Sequence, residues 1–101
     1  MYKTIEEINT AKQIISPPGD TLAEILSIKG INKPTLALLM NVSFKTINQI
    51  IKGKVIITPE TAILLEKALG IEAAFWLQRE KYYRLELVEI NKAETILKTK
   101  D

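Results

Sequence analysis

Phe44, Lys45, Asn48 and Gln49, in the stretch SFKTINQIIKGK from Ser43 to Lys54, carry side chains suited to reading base edges of nucleic acid. In a helix over this stretch Ile47, Ile50 and Ile51 form the inward face, Lys45, Asn48 and Gln49 lie away from it, and Phe44 stands beside them in the first turn, nearest the groove. Lys45 can donate to guanine O6 and N7, and Asn48 or Gln49 can pair with adenine N6 and N7. Each good pair discriminates by about 1–3 kcal/mol. Phe44 can pack on a thymine methyl, a contact of shape that carries less specificity than a hydrogen bond. A second set, Asn32, Lys33, Thr46, Lys52 and Lys54, suits phosphate oxygens, which set register without reading sequence. Backbone N–H groups of a helix starting near Lys33 would assist, because helix N-termini attract anions. A blander reading stands beside these: Asn32 and Ser43 as helix caps alone, and Asn48 and Gln49 as solvated surface.

Charge favours the nucleic-acid reading. No acid lies between Glu24 and Glu60, whereas Lys29, Lys33, Lys45, Lys52 and Lys54 fall in that interval. All twelve acids lie outside the interval with only nine of the fourteen bases, so the overall charge of +2 conceals a polarised chain. Counterion release depends on the basic face presented rather than on net charge. Taken alone, a lysine run is better read as a solvated face.

Other chemistries are poorly supplied. Cysteine and histidine are both absent. Disulfides, thiolate metal sites and the commonest general base are therefore excluded. Glu60 with Glu66 and Glu86 with Glu89 read as solvated helix faces, and four glycines form no phosphate-cradling loop. No enzyme, metal centre or cofactor is expected. The 101 residues suit one small domain. No run approaches the ~20 apolar residues that span a bilayer, and residues around Glu6 and Glu7 lack a signal peptide's apolar run. The expectation is a reducing, cytosolic compartment without a membrane partner.

Helices must position these residues. Thr4 with Glu7 matches a capping box and opens an arm over residues 1–16, with Ile5, Ile8 and Ile15 on one face and Lys12 interrupting it. Such a piece must lie against the main body or a partner. SPPG at 16–19 breaks the chain. A helix from near Pro18 to Lys29 follows, with Leu22, Ile25 and Leu26 inward and Gly30 ending it. Asn32 caps the next helix, with Pro34 in its first turn and Leu36, Ala37 and Met40 inward. Asn41 is the expected left-handed terminator. Ser43 caps a helix running to Lys52, so Asn41-Val42-Ser43 forms the three-residue turn that a helix-turn-helix requires. Val55 to Ile57 is expected to be extended and unpaired. Thr58 and Pro59 open a helix with Ala62, Leu65 and Leu69 inward, ended by Gly70. A last helix from near Glu72 brings Phe75 and Trp76 to close the core. It continues through Leu85, Leu87 and Ile90, after which Asn91 re-caps a segment holding Ile96 and Leu97 or the tail frays. No strand alternation and no repeat occurs, and the fold class is all-α. The boundaries are an arm at 1–16, a helix-turn-helix domain at 17–84 with the motif at 33–52, and an extension at 85–101.

PPGDTLAEIL, the helix-turn-helix and GKVIITPETAILLEKALGIEAAFWLQREKYY together resemble the HigA-type antitoxins of the Cro/C1-like (XRE) helix-turn-helix superfamily, over roughly residues 17–84. The resemblance is carried by Pro18-Gly19, by Ser43 to Asn48 after the turn, by Gly53-Lys54 before Ile57-Thr58, and by ALG and FWL at 68–70 and 75–77. It implies a five-helix lambda-repressor-like DNA-binding domain with an extra N-terminal helix and a C-terminal helical extension. It also implies a homodimer that binds double-stranded operator DNA, represses its own operon and neutralises a RelE-like mRNA-cleaving toxin encoded beside it. On that footing Leu77, Tyr82, Tyr83, Leu85 and Leu87, more apolar surface than one small core needs, fall to the dimer. A two-fold dimer would set its reading helices about 34 Å apart. The arm's Ile5, Ile8 and Ile15 fall to the toxin, or the arm acts as an intramolecular lid. Relatives carry polar residues near Leu38 and Leu39, so one of these should be exposed, as scattered surface leucine or as part of an apolar partner patch. A stand-alone or phage-type repressor, and an interaction module that has lost DNA, are the competing functions.

Overall fold

A computed structural model describes residues 2–98, so Met1 of the expected arm and residues 99–101 of the expected extension lie outside it. Six α-helices occur among the described residues: α1 Ile5–Ile14, α2 Pro18–Lys29, α3 Lys33–Met40, α4 Phe44–Ile51, α5 Pro59–Leu69 and α6 Ala73–Lys98. Their boundaries follow from capping chemistry. The Glu7 amide donates to Thr4 Oγ1 at 3.1 Å while Thr4's own amide donates to Glu7 Oε1 at 3.1 Å, completing the capping box. Asn32, Ser43 and Thr58 each accept from the amide three residues on, at 2.9, 3.1 and 3.2 Å. These bonds satisfy donors that a helix start otherwise leaves open. Gly30 (φ 67°) and Asn41 (φ 55°) take the left-handed conformation that stops α2 and α3.

The chain divides into two compact units. Residues 17–80 form the larger. Leu22, Leu36, Ile47, Leu65 and Trp76 are wholly enclosed at its centre, with Met40 and Leu69 beside them. In this unit α4 packs on both α2 and α3, and α3 also packs on α5. Phe75 was expected to share the core with Trp76 but is 41% exposed, its ring meeting Trp76 edge-on at 5.2 Å. Adjacent helix positions point about 100° apart, and with Trp76 aimed at the centre of the core Phe75 falls at its margin.

The Val55–Ile57 link joins no strand, but it is not free. Ile57 is buried, and its amide donates to the Glu80 carboxylate at 2.8 Å. Glu80 is itself enclosed, and this bond gives one of its oxygens a partner away from water. Arg79, one residue earlier, donates to the Pro17 carbonyl at 3.1 Å and to Thr21 Oγ1 at 3.0 Å. Consecutive residues of α6 thus fix the entry to α2 and the link after α4.

The smaller unit comprises residues 2–16 and 81–98. Ile8 is enclosed against Ile90 and Ala93, flanked by Tyr2, Ala11, Ile15 and Leu97. Lys12, which interrupts the apolar face in sequence, pairs with Glu94, and Lys98 flanks that carboxylate at 3.8 Å. Tyr2 Oη donates to Glu86 at 2.7 Å. The expected re-cap at Asn91 does not occur: α6 passes through it unbroken, and the Thr95 hydroxyl bonds the Asn91 carbonyl one turn back. Ile90, Ala93 and Leu97 all pack against the arm, and this burial outweighs the weak helix propensity of one Asn.

The hydrogen bond from Lys12 holds the Glu94 carboxyl below its ordinary range. A depressed carboxyl contributes stability that is present above its unfolded pKa and lost as pH falls through the folded one. The protection of α1 amides, taken relative to their intrinsic exchange rates, should therefore fall below the ordinary glutamate range, and Glu94→Gln should flatten that acid edge. An acid edge undiminished in the variant would assign it to another group.

Candidate nucleic-acid interface

The turn that aims α4 is built from local bonds. The amides of Asn41 and Val42 donate to the carbonyls of Leu38 and Ala37 at 3.2 and 3.0 Å, using acceptors that the end of α3 leaves open. Three residues later α4 starts on the Ser43 cap. Ile47 and Ile50 anchor its inner face in the core. At its far end Gly19 of α2 lies so close that a Cβ there would sit 2.0 Å from the Ile51 carbonyl oxygen. The helix is thus fixed at both ends and along one side, as a reading element requires.

Its outer face carries the residues singled out in sequence. Phe44 and Lys45 are exposed, while Asn48 and Gln49 are half-buried on the same side. Of the expected phosphate-facing residues, Asn32, Lys33, Lys52 and Lys54 are exposed and Thr46 is half-buried. Asn32 spends its side-chain oxygen on the cap, leaving its amide nitrogen for any further partner. The Thr46 hydroxyl shares a 2.9 Å hydrogen bond with Ser43. Among the described residues no ion pair engages Lys33, Lys45, Lys52 or Lys54, so their field is unopposed. One contact had no signal in the sequence: Lys33 Nζ donates to Asn48 Oδ1 at 3.2 Å, joining the phosphate set to the base set.

These features suit a docking surface for a nucleic-acid groove. A family model described as helix-turn-helix matches residues 22–76, more than half of the chain. The chain belongs to the Cro/C1-type helix-turn-helix family. Virulence-associated protein I of Dichelobacter nodosus is 34% identical over 76 residues, covering 74% of this chain and 70% of that protein. An uncharacterised HTH-type transcriptional regulator of Escherichia coli strain K12, YddM, is 29% identical over 68 residues, 67% and 72% of the two chains. Two solved structures are similar across most of their length. One is an addiction module antidote of a HigA family from Coxiella burnetii (TM-score 0.73, 26% identity, 86% of this chain and 96% of that one). The other, assigned as the antidote of a plasmid maintenance system, is from Nostoc punctiforme PCC 73102 (TM-score 0.80, 31% identity, 85% and 94%). As a Cro/C1-type helix-turn-helix protein, the chain is a DNA-binding regulator of antitoxin-like build.

Tyr82 and Leu85 are exposed at 67% and 55%, and Tyr83 and Leu87 are half-buried. Leu77 packs on the main core, so only part of it is left for a partner. Ile8, expected on a toxin-facing stripe, is instead wholly buried inside the chain, because Ile90 and Ala93 of α6 cover it. Ile15 is half-buried and Ile5 is 43% exposed. Leu38 and Leu39 are both exposed, where one was expected, since the inward side of α3 is filled by Leu36, Ala37 and Met40. No described helix is long and apolar enough to cross a membrane.

Proposed function

We propose that this chain is an antitoxin that binds operator DNA as a homodimer, represses its own operon and neutralises a RelE-like mRNA-cleaving toxin. The observation that carries the DNA half is the outer face of α4, with Lys45 and Gln49 presented beside lysines that no acid opposes. Lys45, Gln49, Asn48 and Phe44 contact bases, and Asn32, Lys33, Thr46, Lys52 and Lys54 contact phosphates. The dimer forms through the exposed apolar side of α6, chiefly Tyr82 and Leu85, with Tyr83, Leu87 and the free part of Leu77 at its margin. The toxin half draws its support from the likeness to antidote proteins. Toxin contact falls to Ile5, exposed on α1, with the half-buried Ile15 just past the end of that helix.

Two measurements test the reading. The full chain should shift DNA from upstream of its own gene at low salt and release it steeply as salt rises, since displaced counterions return. Co-expression with the neighbouring gene product should give a complex on affinity capture. A salt-dependent shift without a complex would favour a stand-alone repressor. A complex without any specific shift would leave an interaction module.

A further inference from the structure

We infer that Lys33 and Asn48 act as one donor unit that selects guanine, where Asn48 alone would select adenine. This rests on the DNA-binding reading above and concerns which base the site takes. An Asn carboxamide reads adenine by using both ends at once: its oxygen accepts from N6–H and its nitrogen donates to N7. In this chain the oxygen is already engaged, accepting from Lys33 Nζ at 3.2 Å. Oδ1 keeps a second lone pair, but the ammonium beside it carries three donors and no acceptor and opposes another donor approaching that atom, so the NH2 is the end that meets the groove freely. Adenine would have to bring its own N6–H donors against that ammonium. Guanine presents O6 and N7, both acceptors, and meets donors at each position.

The bond between the two side chains has reasons to persist. Lys33 opens α3 and Asn48 lies in the middle of α4, and these two helices pack directly against each other. Residues 36, 37, 47 and 50 are buried beneath them, which fixes the span that the lysine must cross. No acid between Glu24 and Glu60 in sequence offers a competing anion. Lys33 keeps further N–H groups for a phosphate, so backbone contact and base choice are joined in one side chain. Lys33 thus acts in base selection twice, by engaging Asn48 Oδ1 and as the second donor of the pair.

Binding-site selection from a random duplex library tests this, using the full chain and its Lys33→Met, Lys33→Arg and Asn48→Ala variants. Methionine keeps the length of the stem without the charge, and arginine keeps a charged donor. The position read by Asn48 is the one whose preference vanishes in Asn48→Ala. There the unmodified chain should prefer guanine over adenine by about ten-fold. Lys33→Met should move the preference to adenine, and Lys33→Arg should retain guanine. Adenine in the unmodified chain, an unchanged preference in Lys33→Met, or no position lost in Asn48→Ala would each overturn the inference while leaving DNA binding in place. Failure of the unmodified chain to enrich any sequence would overturn the DNA-binding reading itself, and this inference with it.

Discussion

Gly19→Ala should lower stability by about 3 kcal/mol, the upper end of the usual cost of overpacking. For a domain of this size that is a fall in Tm of about 12–24 °C. Trp76 is the only tryptophan and is wholly buried, so its fluorescence reports the transition. The clash is with backbone: an added Cβ meets Ile51 oxygen at 2.0 Å and Ile51 carbon and Cα at 2.4 Å. A side chain could swing aside, but these atoms move only if α2 and α4 separate. Ile51 closes α4, so the strain falls on the helix that presents Lys45 and Gln49, and DNA affinity should drop with stability. Gly30→Ala makes a useful contrast. It meets nothing within 4 Å, and its φ of 67° leaves only the left-handed strain, roughly 1–2 kcal/mol. A Gly19→Ala protein that melts with the parent would show that the helices accommodate the methyl.

The close approach at Gly19 illustrates what sequence could and could not yield. That a glycine follows Pro17-Pro18 was visible, and it was read as a chain break. That its missing side chain admits the end of α4, more than thirty residues away, was not. The features legible in advance were those settled within a turn of chain. Thr4 and Glu7, Asn32, Ser43, Thr58, Gly30 and Asn41 each act on neighbours three or four residues off, so their types alone mark where helices begin and end. Apolar spacing likewise placed Ile47 and Ile50 inward, and so placed Lys45 and Gln49 outward.

What escaped depends on contacts between distant segments. The Glu80 carboxylate accepts from an amide 23 residues away, Lys33 reaches Asn48 across 15, and Lys12 meets Glu94 across 82. Nothing local distinguishes Glu80 from the solvated glutamates of the same helix. Lys12 looked like a flaw in an apolar face because its partner lies on another helix. Ile8 was offered to a partner for the same reason: an amphipathic stripe shows that something covers it without showing what. The unbroken run of α6 through Asn91 also follows from that covering, since the arm rewards helix at Ile90, Ala93 and Leu97 alike.

Replacing Lys45 and Gln49 together by alanine should weaken operator affinity by about thirty-fold or more. That figure takes the low end, about 1 kcal/mol, for each of two lost base pairings. The two substitutions differ in kind. Lysine is a charged donor, so Lys45→Ala should also reduce the dependence of binding on salt, whereas Gln49→Ala should leave that dependence intact and relax base choice alone. Neither residue lies in the core, and Ile47 and Ile50 continue to anchor α4 when both are removed. Helix content and Tm should therefore match the parent. On the proposed division of surfaces toxin neutralisation should also survive, because α1 is untouched by changes on α4. Loss of both activities in a well-folded double variant would mean that DNA and toxin use overlapping surfaces. In that case the field of the acid-free stretch, rather than the arm, would have to draw the second partner.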